Sequence, residues 1–76
     1  MKRTLTANIW REGEGYVALC PELDIASQGD TIEEARSNLQ EALDLFFETA
    51  DAVEVAGRLR PELYVTTLEV TVGEAA

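Results

Sequence analysis

Seventy-six residues make one small domain, and a chain of that length buries only about 60 % of the surface its unfolded form exposes. Cys20 is the only cysteine and there is no histidine, which excludes an internal disulfide and leaves a lone thiolate that cannot build a zinc site. The net charge of −9 argues against direct nucleic-acid binding, because affinity for a phosphate backbone comes from Lys and Arg, here scattered as Lys2, Arg3, Arg11, Arg36, Arg58 and Arg60.

In chain order, Leu5, Ala7 and Ile9 alternate with Thr4, Thr6, Asn8 and Trp10, the period of a half-buried strand. Arg11-Glu12-Gly13-Glu14-Gly15 reads as a turn, and Tyr16-Val17-Ala18-Leu19-Cys20 as a second strand stopped by Pro21. Pairing Trp10 with Tyr16 leaves a loop of five residues and sets Ile9 opposite Val17 and Ala7 opposite Leu19. That register places the large aliphatics on one face and predicts a Trp10–Tyr16 aromatic pair on the other.

Pro21-Glu22-Leu23-Asp24 is a second turn, Ile25-Ala26-Ser27-Gln28 a short third strand, and Gly29-Asp30 the approach to a helix. Thr31 and Glu34 have the spacing of a capping box, in which hydroxyl and carboxylate each satisfy a backbone N–H. Ile32, Ala35, Leu39, Ala42, Leu43, Phe46, Ala50 and Val53 recur at helical spacing, so one amphipathic helix is expected to about Ala52. Val53-Glu54-Val55-Ala56 fits either a frayed last turn or a link, and Gly57 marks the turn beyond. After Pro61, the β-branched run Tyr64–Val72 reads as a fourth strand, with Gly73-Glu74-Ala75-Ala76 frayed. The expected fold is α+β, β-β-β-α-β, an antiparallel sheet with one long helix on one face. The other sheet face must then be solvated or buried against something.

The succession Gly15-Tyr16-Val17-Ala18, Cys20-Pro21-Glu22-Leu23, Ser27-Gln28-Gly29-Asp30-Thr31, Glu33-Glu34-Ala35, Asn38-Leu39 and Glu41-Ala42-Leu43 resembles that of the HicB-like antitoxin family. The match runs from about Ala7 to Glu48. It is an ordered set of G-Y-x-A, P-x-L, S-x-G-D-T, E-E-A and N-x-x-E-A-L pieces, each weak alone. The resemblance implies a single domain over residues 1–76 with a partial, degenerate RNase H-like core. It also implies a function: binding and neutralising a small basic, RNA-cleaving, HicA-like toxin of a type II toxin–antitoxin system. Many such proteins carry a C-terminal DNA-binding segment. The chain ends at Ala76, so that segment is expected to be absent and operator binding with it.

An RNase H-like relation prompts a search for paired carboxylates, but the strand positions that should carry them are Leu5, Ala7 and Ile9. Cys20 has no histidine to serve as a base and is expected to be a core thiol. At Ser27–Thr31 the anion-binding capacity of a helix start is opposed by Asp30, Glu33 and Glu34. No enzymatic activity, metal or cofactor is therefore expected. The expected partner-binding residues are Trp10 and Tyr16 as aromatic anchors and Glu12, Glu14, Glu22 and Asp24 as mimics of RNA phosphates. A homo-oligomer, dimer or tetramer, is expected from the thin core. No apolar run approaches the ~18 residues of a membrane span, and an unpaired cysteine suits a cytoplasmic location. The competing reading is a solitary, self-associating domain without a toxin.

Overall fold

The computed structural model describes residues 2–73. Three antiparallel strands, β1 (Asn8–Glu12), β2 (Gly15–Cys20) and β3 (Ile25–Gly29), are followed by α1 (Ile32–Thr49) and a short α2 (Ala52–Arg58). The sheet has the order β1-β2-β3, and α1 packs on one of its faces. The fold is thus α+β with an open antiparallel sheet, as the sequence pattern predicts.

The hairpin register differs from the expected one. Glu12 pairs with Gly15, Arg11 with Tyr16, Trp10 with Val17 and Ile9 with Ala18. The connection is therefore the two residues Gly13 and Glu14. Gly13 has φ +61° while Glu14 keeps a negative φ, the pattern of a type II′ turn with glycine first. This register puts Val17 and Leu19 on the face away from the helix, and Tyr16, Ala18 and Cys20 on the helix face. Burial that looked wasted along the strand is recovered across the layers. Ala18 and Cys20 are fully buried, and their small size lets α1 come close.

The closest approach is at Gly29, which pairs with Tyr16 on β2. A Cβ built there would lie 2.6 Å from the Ala35 backbone nitrogen and 2.8 Å from the Glu34 carbonyl carbon. Ala35 is itself fully buried, so helix and strand meet almost backbone to backbone. Asn38 Nδ2 donates to the Gln28 carbonyl at 2.7 Å and ties the next turn of α1 to β3. At the start of the helix the Thr31 hydroxyl accepts from the Glu34 N–H at 3.0 Å, one half of the expected capping box.

The apolar stripe of α1 is buried in its middle and exposed at its ends. Ala35 and Leu39 are buried, and Leu43 and Phe46 pack at the margin of the core. Ile32 is left exposed. The helix does not continue to Ala52. It breaks at Ala50, and Asp51 starts α2 by accepting from the Glu54 N–H at 2.8 Å. Asp51 and Glu54 have the same spacing as Thr31 and Glu34, a start signal that the continuing apolar periodicity masks. Gly57 accordingly lies inside α2, and Val53 is exposed on it.

The expected fourth strand is not formed. Residues 62–73 have no regular secondary structure and are exposed throughout, including Tyr64, Val65, Leu68, Val70 and Val72. β-Branched content supplies a preference for extended backbone, but a strand also needs a pairing edge, and this segment lies against none in its own chain. The expectation for Glu74, Ala75 and Ala76 falls outside the described residues.

Two glycine substitutions should move stability in opposite directions. Gly29→Ala drives a methyl into the α1 backbone and is expected to cost about 1–3 kcal/mol. Gly57→Ala adds a methyl where nothing lies within 4 Å and should stabilise α2 by about 0.5–1 kcal/mol. Urea-denaturation midpoints read both.

Candidate partner-binding surface

The register sorts the side chains of the sheet into two sets. Ile9, Ala18 and Ser27 form one row beneath α1, and Arg11, Tyr16 and Gly29 form the next. Trp10, Val17 and Gln28 form a row on the open face, beside Asn8, Leu19 and Ala26. Trp10 is 42 % exposed, and Val17 and Leu19 are half-buried. The open face therefore carries a small apolar strip headed by tryptophan.

Tyr16 does not pair with Trp10. It lies on the helix face, packs against the core and accepts a hydrogen bond on its hydroxyl from Arg11 Nη2 at 3.0 Å. The guanidinium also sits 5.3 Å from the ring centre. The two aromatics thus have separate roles, Tyr16 in holding the hairpin to the core and Trp10 in facing outward. The one-residue difference in register is the whole cause.

The four acidic residues expected to act together are divided between opposite ends of the sheet. Glu12 and Glu14 lie at the β1–β2 turn, whereas Glu22 and Asp24 lie at the β2–β3 turn. At the hairpin end Glu12 instead meets Asp30 and Glu34 from the start of α1, around a shallow groove floored by Gly15 and Gly29. Sequence reasoning missed this grouping. The signal was topological: β3 ends, and α1 begins, at the hairpin end of an antiparallel sheet.

Glu22 has a structural task. Its carboxylate accepts from the Thr6 N–H at 3.1 and 3.0 Å, from the Thr6 hydroxyl at 2.7 Å and from the Cys20 thiol at 3.4 Å. Burial pushes this carboxyl up, but the bonds from Thr6, the backbone and Cys20 together outweigh it, and the group sits below its ordinary value. Burial, with Glu22 alongside, pushes the Cys20 thiol up. Cys20 is thus a closed core group with no thiolate character.

The same turn also receives the far end of the chain. Arg58 Nη2 donates to the Leu23 carbonyl at 2.9 Å, and the Arg60 N–H donates to the Glu22 carbonyl at 3.0 Å. The Arg60 guanidinium meets the Pro21 carbonyl. Leu23 is buried beneath the turn, and Asp24 takes φ +56°, a left-handed conformation that aspartate tolerates. Asp24 is exposed; the others at this end are engaged within the chain. Among the described residues no three His, Cys, Asp or Glu side chains come together as a metal-holding cluster, and no helix is long and apolar enough to cross a membrane.

Glu22→Gln should destabilise the protein by about 1–3 kcal/mol, the scale for hydrogen bonds to a charged group. The sign with pH follows from the lowered carboxyl. Its contribution is complete above the ordinary value near 4.5 and disappears as pH falls through the lower folded value. Thermal melts of wild type and variant should therefore converge in acid and separate above about pH 5.

No family model matches the chain, and no solved structure matches it. Among curated proteins, the UPF0150 protein ssl0738 of Synechocystis sp. is 47 % identical over 64 residues, which cover 82 % of this chain and 86 % of the relative. Identity of that degree over four-fifths of the chain settles the relationship: this chain belongs to the UPF0150 family.

Proposed function

We propose that this protein is a HicB-like antitoxin domain that binds and neutralises a small basic, RNA-cleaving toxin of the HicA-like class. One observation carries the reading. The motif pieces shared with HicB-like domains fall on the contacts that bring α1 onto the sheet, including Ala18, Leu23, Gly29, Ala35, Asn38 and Leu39. A chain built on that frame presents an apolar strip around Trp10 beside an acidic rim of Glu12, Asp30 and Glu34.

The mechanism is occlusion, with no chemical step. A basic toxin is drawn toward the acidic end by long-range attraction, since a net charge of −9 raises the encounter rate with a cationic partner. Trp10, Val17 and Leu19 then supply apolar area that leaves water on contact. Glu12, Asp30 and Glu34 occupy positions on the toxin that RNA phosphates would otherwise take. Of the residues first expected at the interface, Trp10, Glu12 and Glu14 keep that role. Tyr16 supports the hairpin from beneath, Glu22 is committed to Thr6 and Cys20, and Asp24 lies at the other end of the sheet.

The test is co-expression with the small basic protein encoded beside this chain. The two should co-purify, and co-expression should relieve the growth arrest that the basic protein causes alone. Trp10→Ala should weaken the complex by about 2 kcal/mol, roughly 30-fold in Kd, as for a central anchor. Glu12→Lys with Glu14→Lys should slow association most at low salt. A basic neighbour that neither co-purifies nor is detoxified would refute the proposal.

A further inference from the structure

We infer that α1 and α2 form a two-state hinge at Ala50–Asp51: broken and latched onto the β2–β3 turn, or straightened into one helix from Ile32 to Arg58 that releases the turn. The hinge concerns the chain alone and stands apart from the antitoxin proposal.

The break is confined to two residues. Ala50 and Asp51 have ψ 141° and 173°. Helical bonding runs up to the Ala50 N–H, which donates to the Phe46 carbonyl, and resumes where the Val55 N–H donates to the Asp51 carbonyl. Sharp breaks in helices ordinarily fall at proline or glycine, and neither occurs from Thr31 to Ala56. Ala50 and Ala52 are instead the strongest of helix formers, and the apolar spacing of Phe46, Ala50 and Val53 runs through the break. Within the local sequence only the Asp51 cap on the Glu54 N–H favours the broken form.

Tertiary contacts supply the rest. Arg58 Nη2 donates to the Leu23 carbonyl at 2.9 Å, and its guanidinium lies 5.4 Å from the centre of the Phe46 ring. Arg60 donates through its N–H to the Glu22 carbonyl and through its guanidinium to the Pro21 carbonyl, and Leu59 packs against the core. α2 itself has no buried residue, so this latch holds it. A helix continued in line would carry Arg58 about 18 Å beyond Phe46 along the axis, out of reach of the turn. Latch and continuous helix therefore exclude each other.

The exchange is nearly balanced. Straightening loses the latch and the Asp51 cap. It gains helical bonds from the N–H groups of Asp51, Ala52, Val53 and Glu54 to the carbonyls of Phe47, Glu48, Thr49 and Ala50. Each side is a handful of hydrogen bonds of similar worth, the condition for two interconverting states. In the broken form residues 61–73 leave from the β2–β3 turn. In the straight form they leave from the tip of a helix about 40 Å long, and the Pro21, Glu22 and Leu23 carbonyls are free. A donor that takes those carbonyls selects the straight form.

NMR on the isotope-labelled full-length protein reads the hinge directly. Arg58→Ala with Arg60→Ala should raise the ratio of straight to broken form about 100-fold. The Cα shifts of Ala50 and Asp51 should then move to helical values, and Hα–HN NOEs should join Thr49 to Ala52 and Ala50 to Val53. Asp51→Ala, with the latch intact, should shift the ratio the same way by about 5-fold. Adding Ala52→Pro to the latch variant should restore the extended shifts and erase those NOEs, since proline fits the first position of α2 but not the interior of a continuous helix. Ala35 and Leu39 should keep their slow amide exchange in every variant. The inference is overturned if the latch variant keeps Ala50 and Asp51 extended, if residues 52–58 take random-coil shifts, or if Ala52→Pro fails to reverse the change.

Discussion

The near-contact between Gly29 and the first turns of α1 is the constraint on which the rest of the structure depends. A helix can approach a sheet this closely only where side chains are missing or small, and Gly29, Ala18 and Ala35 supply that condition from three elements. The closeness decides the hairpin register, since it requires Ala18 and Cys20 beneath the helix in place of Val17 and Leu19. It also decides what the open face carries. Trp10, Val17 and Leu19 are outside because there is no room for them inside.

The second organising feature is the β2–β3 turn, which gathers the segment before β1 and the residues that end and follow α2. Glu22 holds Thr6 through its carboxylate, while the Glu22 and Leu23 carbonyls receive Arg60 and Arg58. One carboxylate, bonded to backbone and hydroxyl donors, fixes the approach to β1. The adjoining carbonyls fix the exit from α2. Among the described residues the fully buried apolar ones are Ala18, Cys20, Leu23, Ala35 and Leu39, and such polar ties hold what this small core does not.

Small size also explains the surfaces left uncovered. One helix cannot shield both faces of a sheet or fill the space beyond its edge. The apolar strip at Trp10, the exposed Phe47 and the exposed apolar residues from Leu63 to Val72 are three consequences of the same shortage of chain. The net charge of −9 opposes indiscriminate association of a molecule that exposes apolar positions.

By itself the sequence determined the local elements: three strands, their stops at Gly13 and Pro21, and a helix started by Thr31 and patterned by Ala35, Leu39 and Leu43. These follow from side-chain period, capping chemistry and turn residues, which act over a few positions. The motif from Gly15 to Leu43 was legible as a unit, and its Ala18, Gly29, Ala35, Asn38 and Leu39 prove to be helix–sheet contacts. Only the tertiary structure decided the register, because both pairings satisfy the strand alternation and the choice rests on how close α1 comes. It likewise separated Tyr16 from Trp10, bound Glu22 to Thr6, brought Asp30 and Glu34 to Glu12, and left the β-branched run at 64–72 unpaired. Each of these depends on contacts between residues distant in the chain, which the spacing of neighbours does not encode.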